Sequence, residues 1–190
     1  MTPRVGVLSL QGDVSEHIAA FERIGVPAEA VKTRERIEAL DVLVLPGGES
    51  TTLSKLLTRF DLVEPIKKRY SEGMCIFATC AGLILLAREV ENNDVNVLGL
   101  LDVRVRRNAF GRQVESFETP ISLTFDTQPF PAVFIRAPRI VSAGSAEVVG
   151  TLDGEPVLVE KDRILAATFH PEVTEDSRIH TYFLETICRR

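Results

Sequence analysis

MCIFATCAGLI, residues 74–84, brings two apolar runs, Met74 to Phe77 and Leu83 to Ala87, together at a patch of small residues around Cys80. A strand covered on both faces reads as an unbroken apolar run, as in a parallel sheet. The small-x-Cys-x-Gly pattern from Ala78 to Gly82 permits a sharp strand-to-helix turn. Met74 to Phe77 is therefore expected as a strand and Leu83 to Val90 as the helix after it. The same succession occurs three times upstream. Arg4 to Leu10 reads as a buried strand, Gln11-Gly12-Asp13 as a turn, and Val14, Ile18, Phe21 and Ile24 recur at helical spacing until Gly25. Pro27 to Val31 reads as a short strand and Arg34 to Leu40 as a short helix. Asp41 to Leu45 is again apolar, Pro46-Gly47-Gly48 ends it, and a helix starts near Ser50 or Thr51. Strand, turn and helix in repetition predict an α/β fold: an open, mostly parallel sheet in three layers with helices on both faces.

From about Leu101 the texture changes. Asp102 to Arg107 alternates with period two. Ile121 to Phe125, Ala132 to Ile135 and Pro156 to Glu160 read as strands between Gly and Pro turns. Arg163 to Phe169 is apolar again, and Ser177 to Cys188 carries Ile179, Tyr182, Phe183 and Ile187 on one helical face. Residues 1–190 are expected to form one domain, a parallel core extended by antiparallel strands. Hydrophobic residues make up 45% of the chain, charged residues 26%, and the net charge is −5. That charge argues against a nucleic-acid binder, which needs a basic surface to displace counterions. The 3 cysteines show no CxxC spacing, which argues against a disulfide framework or Cys-rich zinc site and for a reducing cytoplasm. The run Val5 to Leu10 is too short for a signal peptide, and Asp13 and Glu16 follow it closely. No apolar run approaches membrane-spanning length.

Cys80 in such a turn is either a small buried hydrophobe, as most free cysteines are, or a nucleophile on an elbow. In the second case it sits on strained backbone at a helix N-terminus, whose partial positive charge favours a thiolate. Cys75, mid-strand, and Cys188, on the last helix, fit the buried role. A nucleophile needs a partner. His17 and His180 lie inside predicted helices and read as ordinary helix residues. His170 instead ends an apolar strand and precedes Pro171-Glu172. Proline drives the preceding residue toward extended geometry, where residues i and i+2 point the same way. Glu172 can then hold one ring nitrogen of His170, leaving the other for a thiol. If their strands are parallel, Cys80 and His170 share the sheet edge where ligands bind. Gly47 and Gly48 permit close backbone approach and can aim N–H groups at an oxyanion. Alternatively they form a plain strand-to-helix turn with Ser50 or Thr51 as N-cap. No phosphate-loop pattern is present. Arg104 and Arg106 fit a solvated strand face. Arg107 and Arg136, each at a strand end, can hold a carboxylate.

Together these residues resemble class I glutamine amidotransferases, a family with a flavodoxin-like sheet. The resemblance is closest to the glutaminase subunits of pyridoxal phosphate synthase, the PdxT/SNO family. It rests on Gly6 to Asp13, Pro46 to Thr52, Thr79 to Leu83, Arg107 to Gln113, Val133 to Pro138 and Phe169 to Glu172. One departure is Ala78, where the family's elbow usually begins with glycine. The resemblance implies that Cys80 is the nucleophile and that His170 with Glu172 is the acid–base pair. It implies that Gly47, Gly48, Glu49, Arg107, Ile135 and Arg136 bind L-glutamine. The expected oxyanion hole is the backbone N–H groups of Gly48 and Ala81. The implied partner is the (β/α)₈-barrel synthase subunit, in a complex of 12 + 12 subunits typical of the family. No metal or cofactor is expected; pyridoxal phosphate would be the complex's product. Two other functions fit the same residues: the glutaminase of another synthase, such as that of imidazole glycerol phosphate, and a catalytically idle binding module.

Overall fold

The computed structural model describes residues 2–91, 95–107 and 116–189. Residues 108–113 of the Arg107 to Gln113 segment therefore lie outside the described residues. The chain begins β1 (Val5–Leu8), α1 (Val14–Arg23), β2 (Ala28–Val31), α2 (Arg34–Glu38), β3 (Val42–Leu45), α3 (Ser50–Arg59) and α4 (Val63–Ser71). It continues with β4 (Cys75–Thr79), α5 (Ala81–Leu86), β5 (Ala87–Glu91), β6 (Leu101–Arg106), β7 (Ser116–Leu123) and β8 (Phe130–Ile135). Then come β9 (Arg139–Ser142), β10 (Glu147–Leu152), β11 (Glu155–Lys161) and β12 (Ile164–Ala167). A 3-10 turn at Pro171–Val173, α6 (Arg178–Tyr182) and a π-helical turn at Phe183–Ile187 close the described chain.

Among the described residues, a nine-stranded sheet runs in the order β2-β1-β3-β4-β12-β11-β10-β7-β8. The strands from β2 to β12 are parallel, and those beyond are antiparallel. The parallel strands β1, β3, β4 and β12 are buried throughout. Their side chains alternate between two cores, as the strand period of two requires. Leu43, Leu45, Ile76, Ala78, Ile164 and Ala166 face one core with Ile37, Leu53, Ile66 and Leu83 of the helices α2 to α5. Val42, Val44, Cys75, Phe77, Leu165 and Ala167 face the other with Phe21 of α1 and Ile179, Phe183 and Ile187. This is the expected three-layer arrangement.

Because β1, β3, β4 and β12 are parallel, the segments after them emerge at one edge. These are Gln11 to Asp13, Pro46 to Gly48, Cys80 and His170. β12 is placed there by long-range pairing, in register with β4 at Ala166 and Ala78.

Two local expectations need correction. The helix expected over Leu83 to Val90 stops at Leu86, and Ala87 turns to extended geometry (φ −56°, ψ 149°). β5 then pairs with β6 in a separate sheet with β9. There Glu91 meets Arg106 at 2.7 Å and Arg104 at 3.6 Å, the ion pairs of a solvated strand face. The closing helix is split, with a π-helical turn completing its last part. β9, β10 and α4 were not legible as separate elements.

Candidate active site

Cys80 lies between β4 and α5 with φ 49° and ψ −104°, a left-handed backbone that a side-chain-bearing residue adopts at a steric penalty. It is the elbow expected from the sequence. Gly82 makes it possible through close packing rather than torsion. A Cβ there would lie 2.1 Å from the carbonyl oxygen of Leu45, on the neighbouring strand. Ala78 is an ordinary strand residue, in register with Leu45 and Ala166, and its methyl is buried. The turn itself is made two residues later.

His170 is anchored by its backbone N–H, which donates to Val133 O at 2.8 Å. Its Nδ1 is 2.7 Å from Glu172 Oε1 and 3.3 Å from Asp13 Oδ2. Glu172 reaches the ring through the 3-10 turn begun by Pro171 rather than through the extended backbone expected. Burial disfavours the charged imidazole, but hydrogen bonding to Asp13, Cys80 and Glu172 outweighs it and raises the His170 pKa to about 12. The favoured form is an imidazolium with Nδ1 turned to the carboxylate. Cys80, only 7% exposed, has its Sγ 3.8 Å from Ile135 O and within interaction range of that imidazole. Asp13, His170 and Glu172 bring one donor atom each within 4.8 Å of one another.

A cavity of about 320 Å³ opens over the thiol. Cys80, His170, Gly48, Glu49, Arg107, Ile135 and Arg136 all line it. Gly47 and Ala81 are buried behind the wall, and Glu172 behind His170. Gly47 is held to glycine by the imidazole, because a Cβ there would lie 2.4 Å from His170 Cε1. Gly48 has φ 150°, and a Cβ there would lie 2.5 Å from Gln11 Oε1. Arg136, like Cys80, has a positive φ, 44°.

The N-cap of α3 is Glu49, not Ser50 or Thr51. Its carboxylate accepts from Thr51 N at 3.1 Å and from Thr52 N and Oγ1 at 2.8 Å. Arg107 Nη2 donates to Glu49 Oε1 at 3.0 Å, and its Nη1 to Thr51 Oγ1 at 3.1 Å. Partial burial works against the charge, but the bonds from Thr52 and Thr51 hold the Glu49 pKa down at about 2. The carboxylate outcompetes the hydroxyls because it reaches two backbone donors at once and meets the positive end of the helix. Glu49→Ala is expected to destabilise the fold by about 1 kcal/mol, with Glu49→Gln losing less; urea unfolding of the pair measures this.

Several residues at the site were not assigned from the sequence. Gln11 Oε1 accepts from Glu49 N at 2.9 Å, and Gln11, Gly12 and Asp13 line the cavity. Their signal was available: they form the turn after β1, as Pro46 to Gly48 do after β3. His17 and His180 lie in helices as expected, but both are fully buried. His180 packs edge-on against Phe21 and Phe77, and burial pushes its pKa down to about 3. It is a neutral core residue.

Residues 7–189 match the SNO glutamine amidotransferase family. The chain belongs to that family. A relative from Thermotoga petrophila, named pyridoxal 5'-phosphate synthase subunit PdxT, is 50% identical over 97% of this chain and 99% of its own length. One of the same name from Thermococcus onnurineus is 53% identical over 95% of this chain and 97% of its own. A crystal structure of a glutamine amidotransferase superimposes with a TM-score of 0.92 at 46% identity, covering 98% of this chain and 99% of that one.

Proposed function

We propose that this chain, as a single domain over residues 1–190, hydrolyses L-glutamine to glutamate and ammonia. It does so as the glutaminase subunit of a pyridoxal 5'-phosphate synthase. The observation that carries this is the Cys80 elbow at the cavity, beside an imidazole held by Glu172. The Cys80 thiolate attacks the side-chain carboxamide carbon, and the carbonyl electrons move to oxygen. Backbone N–H groups of Gly48 and Ala81 receive that oxyanion; losing one such donor typically costs about 10²–10³ in rate. The His170 imidazolium gives its proton to the departing nitrogen as the C–N bond breaks, leaving a thioester and ammonia. The neutral imidazole then takes a proton from water, which attacks the thioester and frees glutamate and the thiolate. Glu172 keeps the ring in register through both half-reactions. Arg107 and Arg136, with Glu49, Gly47 and Ile135, hold the amino-acid end of the substrate. Oxyanion geometry depends on the Gly47–Gly48 turn, which touches both Gln11 and His170.

The partner is the (β/α)₈-barrel synthase subunit, in a 12 + 12 assembly in the cytoplasm. No helix among the described residues is long and apolar enough to cross a membrane. Ammonia passes to the barrel inside the complex, since water at neutral pH would protonate it. The test is glutamate release measured with and without the barrel subunit. Hydrolysis that appears or rises on mixing, with ammonia incorporated into the product, is expected. No hydrolysis in the complex, or transfer only to the synthase of another pathway, would overturn the assignment.

A further inference from the structure

Buried behind the triad is a polar group that the mechanism above does not use. His17, on α1, is wholly inaccessible. Its Nε2 lies 3.0 Å from Thr79 Oγ1 and 3.4 Å from Glu172 Oε1. Thr79 is the last residue of β4 and the immediate neighbour of the nucleophile. His17 thus joins the strand that presents the thiol to the carboxylate that orients the imidazole. The geometry points to His17 as a positioning residue for the glutaminase reaction, its Nε2–H acting as the second donor that holds Glu172 in place as an anion.

Two observations decide the tautomer. His17 Nδ1 has no hydrogen-bond partner among the described residues. A proton there would be an orphaned buried donor, and the bare Nε2 would turn its lone pair toward a carboxylate. With the proton on Nε2, the N–H faces the Thr79 hydroxyl oxygen at 3.0 Å and the Glu172 carboxylate at 3.4 Å, and the unpartnered Nδ1 is a bare acceptor rather than a donor. Burial keeps this imidazole neutral, so it supplies one N–H and no net charge. Glu172 needs such a donor. Its side chain is fully buried, and its Oε2 has no hydrogen-bond partner among the described residues. Without His17, the ionised carboxylate would be supported by His170 alone.

The titratable groups around this link are Asp13 and Glu16 beside α1, His170, the Cys80 thiol, and His180 of α6, whose ring centroid is 6.4 Å from that of His17. His180 is neutral, and Asp13 reaches the other side of the assembly at His170 Nδ1. Removing the His17 donor therefore acts chiefly on Glu172. The carboxylate is then held less firmly against Nδ1, and the His170 imidazolium loses part of the support that raises its pKa. Because His17 does not line the cavity, glutamine binding should change little.

The inference rests on the glutaminase function proposed above, and the test separates the two. His17→Gln places an amide N–H near the position of Nε2. His17→Asn is too short to reach it, and His17→Phe keeps the ring shape without a donor. Each variant is measured in complex with the barrel subunit. The readouts are kcat and KM for glutamine and the pH dependence of kcat/KM. A further readout is the pH dependence of Cys80 alkylation by iodoacetamide, followed on the Cys80 peptide. His17→Phe and His17→Asn should lose roughly 10- to 100-fold in kcat, the scale of a small misplacement of reacting groups, with KM nearly unchanged. The alkaline limb of the kcat/KM profile should move to lower pH, because the His170 imidazolium is less well supported, and His17→Gln should restore most of the rate. A His17→Phe variant with parental kcat and unshifted limbs would overturn the role. So would a folded His17→Gln variant as impaired as His17→Phe, or failure of all three to fold, since either makes His17 a packing residue. If the parent complex hydrolyses no glutamine, the function falls, while the alkylation profiles still test the link from His17 to Glu172.

Discussion

Cys80→Ser is expected to fold as the parent does and to lose glutamine hydrolysis by roughly 10⁴–10⁶-fold, the range seen when a nucleophile is removed from a preorganised triad. The substitution changes one atom at a cavity-lining position. Serine tolerates the left-handed backbone at φ 49° as well as cysteine does, so little stability should be lost. What disappears is the soft, ionisable nucleophile beside an imidazole that stays protonated to high pH. A hydroxyl in contact with an imidazolium has no base to take its proton. Cys80→Ala should behave in the same way. Cys75→Ala and Cys188→Ala should keep their activity: Cys75 lies in the core at the start of β4, Cys188 packs beside the π-helical turn, and neither lines the cavity over Cys80. Initial rates in complex with the barrel subunit, set beside thermal melts, measure this; near-parental turnover by Cys80→Ser would remove the thiol from the chemistry.

Gly12→Ala should be the most damaging change outside the triad. Gly12 has φ 112°, and an added Cβ would lie 1.7 Å from the carbonyl oxygen of Gly47 and 3.6 Å from Gly48 Cα. Backbone cannot swing aside as a side-chain tip does, so the turn after β1 and the turn after β3 must separate. Gly47 in turn abuts His170, where its own Cβ would meet Cε1. Displacement at Gly12 therefore reaches both the oxyanion turn and the acid–base pair. A shift of about an ångström in such groups costs on the order of 10²-fold in rate, and the backbone strain adds about 1–3 kcal/mol of destabilisation. Gly25→Ala is the control. Its φ is also positive, 74°, but nothing lies within 4 Å of the added Cβ, so it should lose some stability and no activity. Steady-state kinetics and urea unfolding of the two variants separate close packing from backbone strain. Parental kcat/KM in Gly12→Ala would mean that the two turns are not coupled.

Much of this site was legible because its signals are local. β1, β3, β4 and β12 are unbroken apolar runs, each followed by a turn of small or special residues, and parallel pairing alone gathers those turns at one edge. Cys80 between Ala78 and Gly82, and His170 before Pro171-Glu172, could be picked out from their neighbours. The insertion of β12 beside β4 was legible only as a condition, because register between distant segments is set by packing in three dimensions. Choices between competing local options were harder. Glu49, Ser50 and Thr51 each offer an oxygen at the helix start; the carboxylate takes the position because it reaches two backbone N–H groups at once, and Arg107, 58 residues away, also binds it. The end of α5 at Leu86 depends on β6, which offers Ala87 to Glu91 a strand partner. His17 occupies a helical position like any other. Only the fold reveals that Thr79 and Glu172 meet its ring in the interior.

The most direct measurement of the central claim is covalent trapping. The complex is incubated with an electrophilic glutamine analogue, and the modified peptide is identified by mass spectrometry. The expected result is a single adduct on Cys80, blocked by excess L-glutamine and lost in His170→Asn. An adduct on Cys75 or Cys188 instead, or labelling of Cys80 that glutamine does not slow, would contradict it.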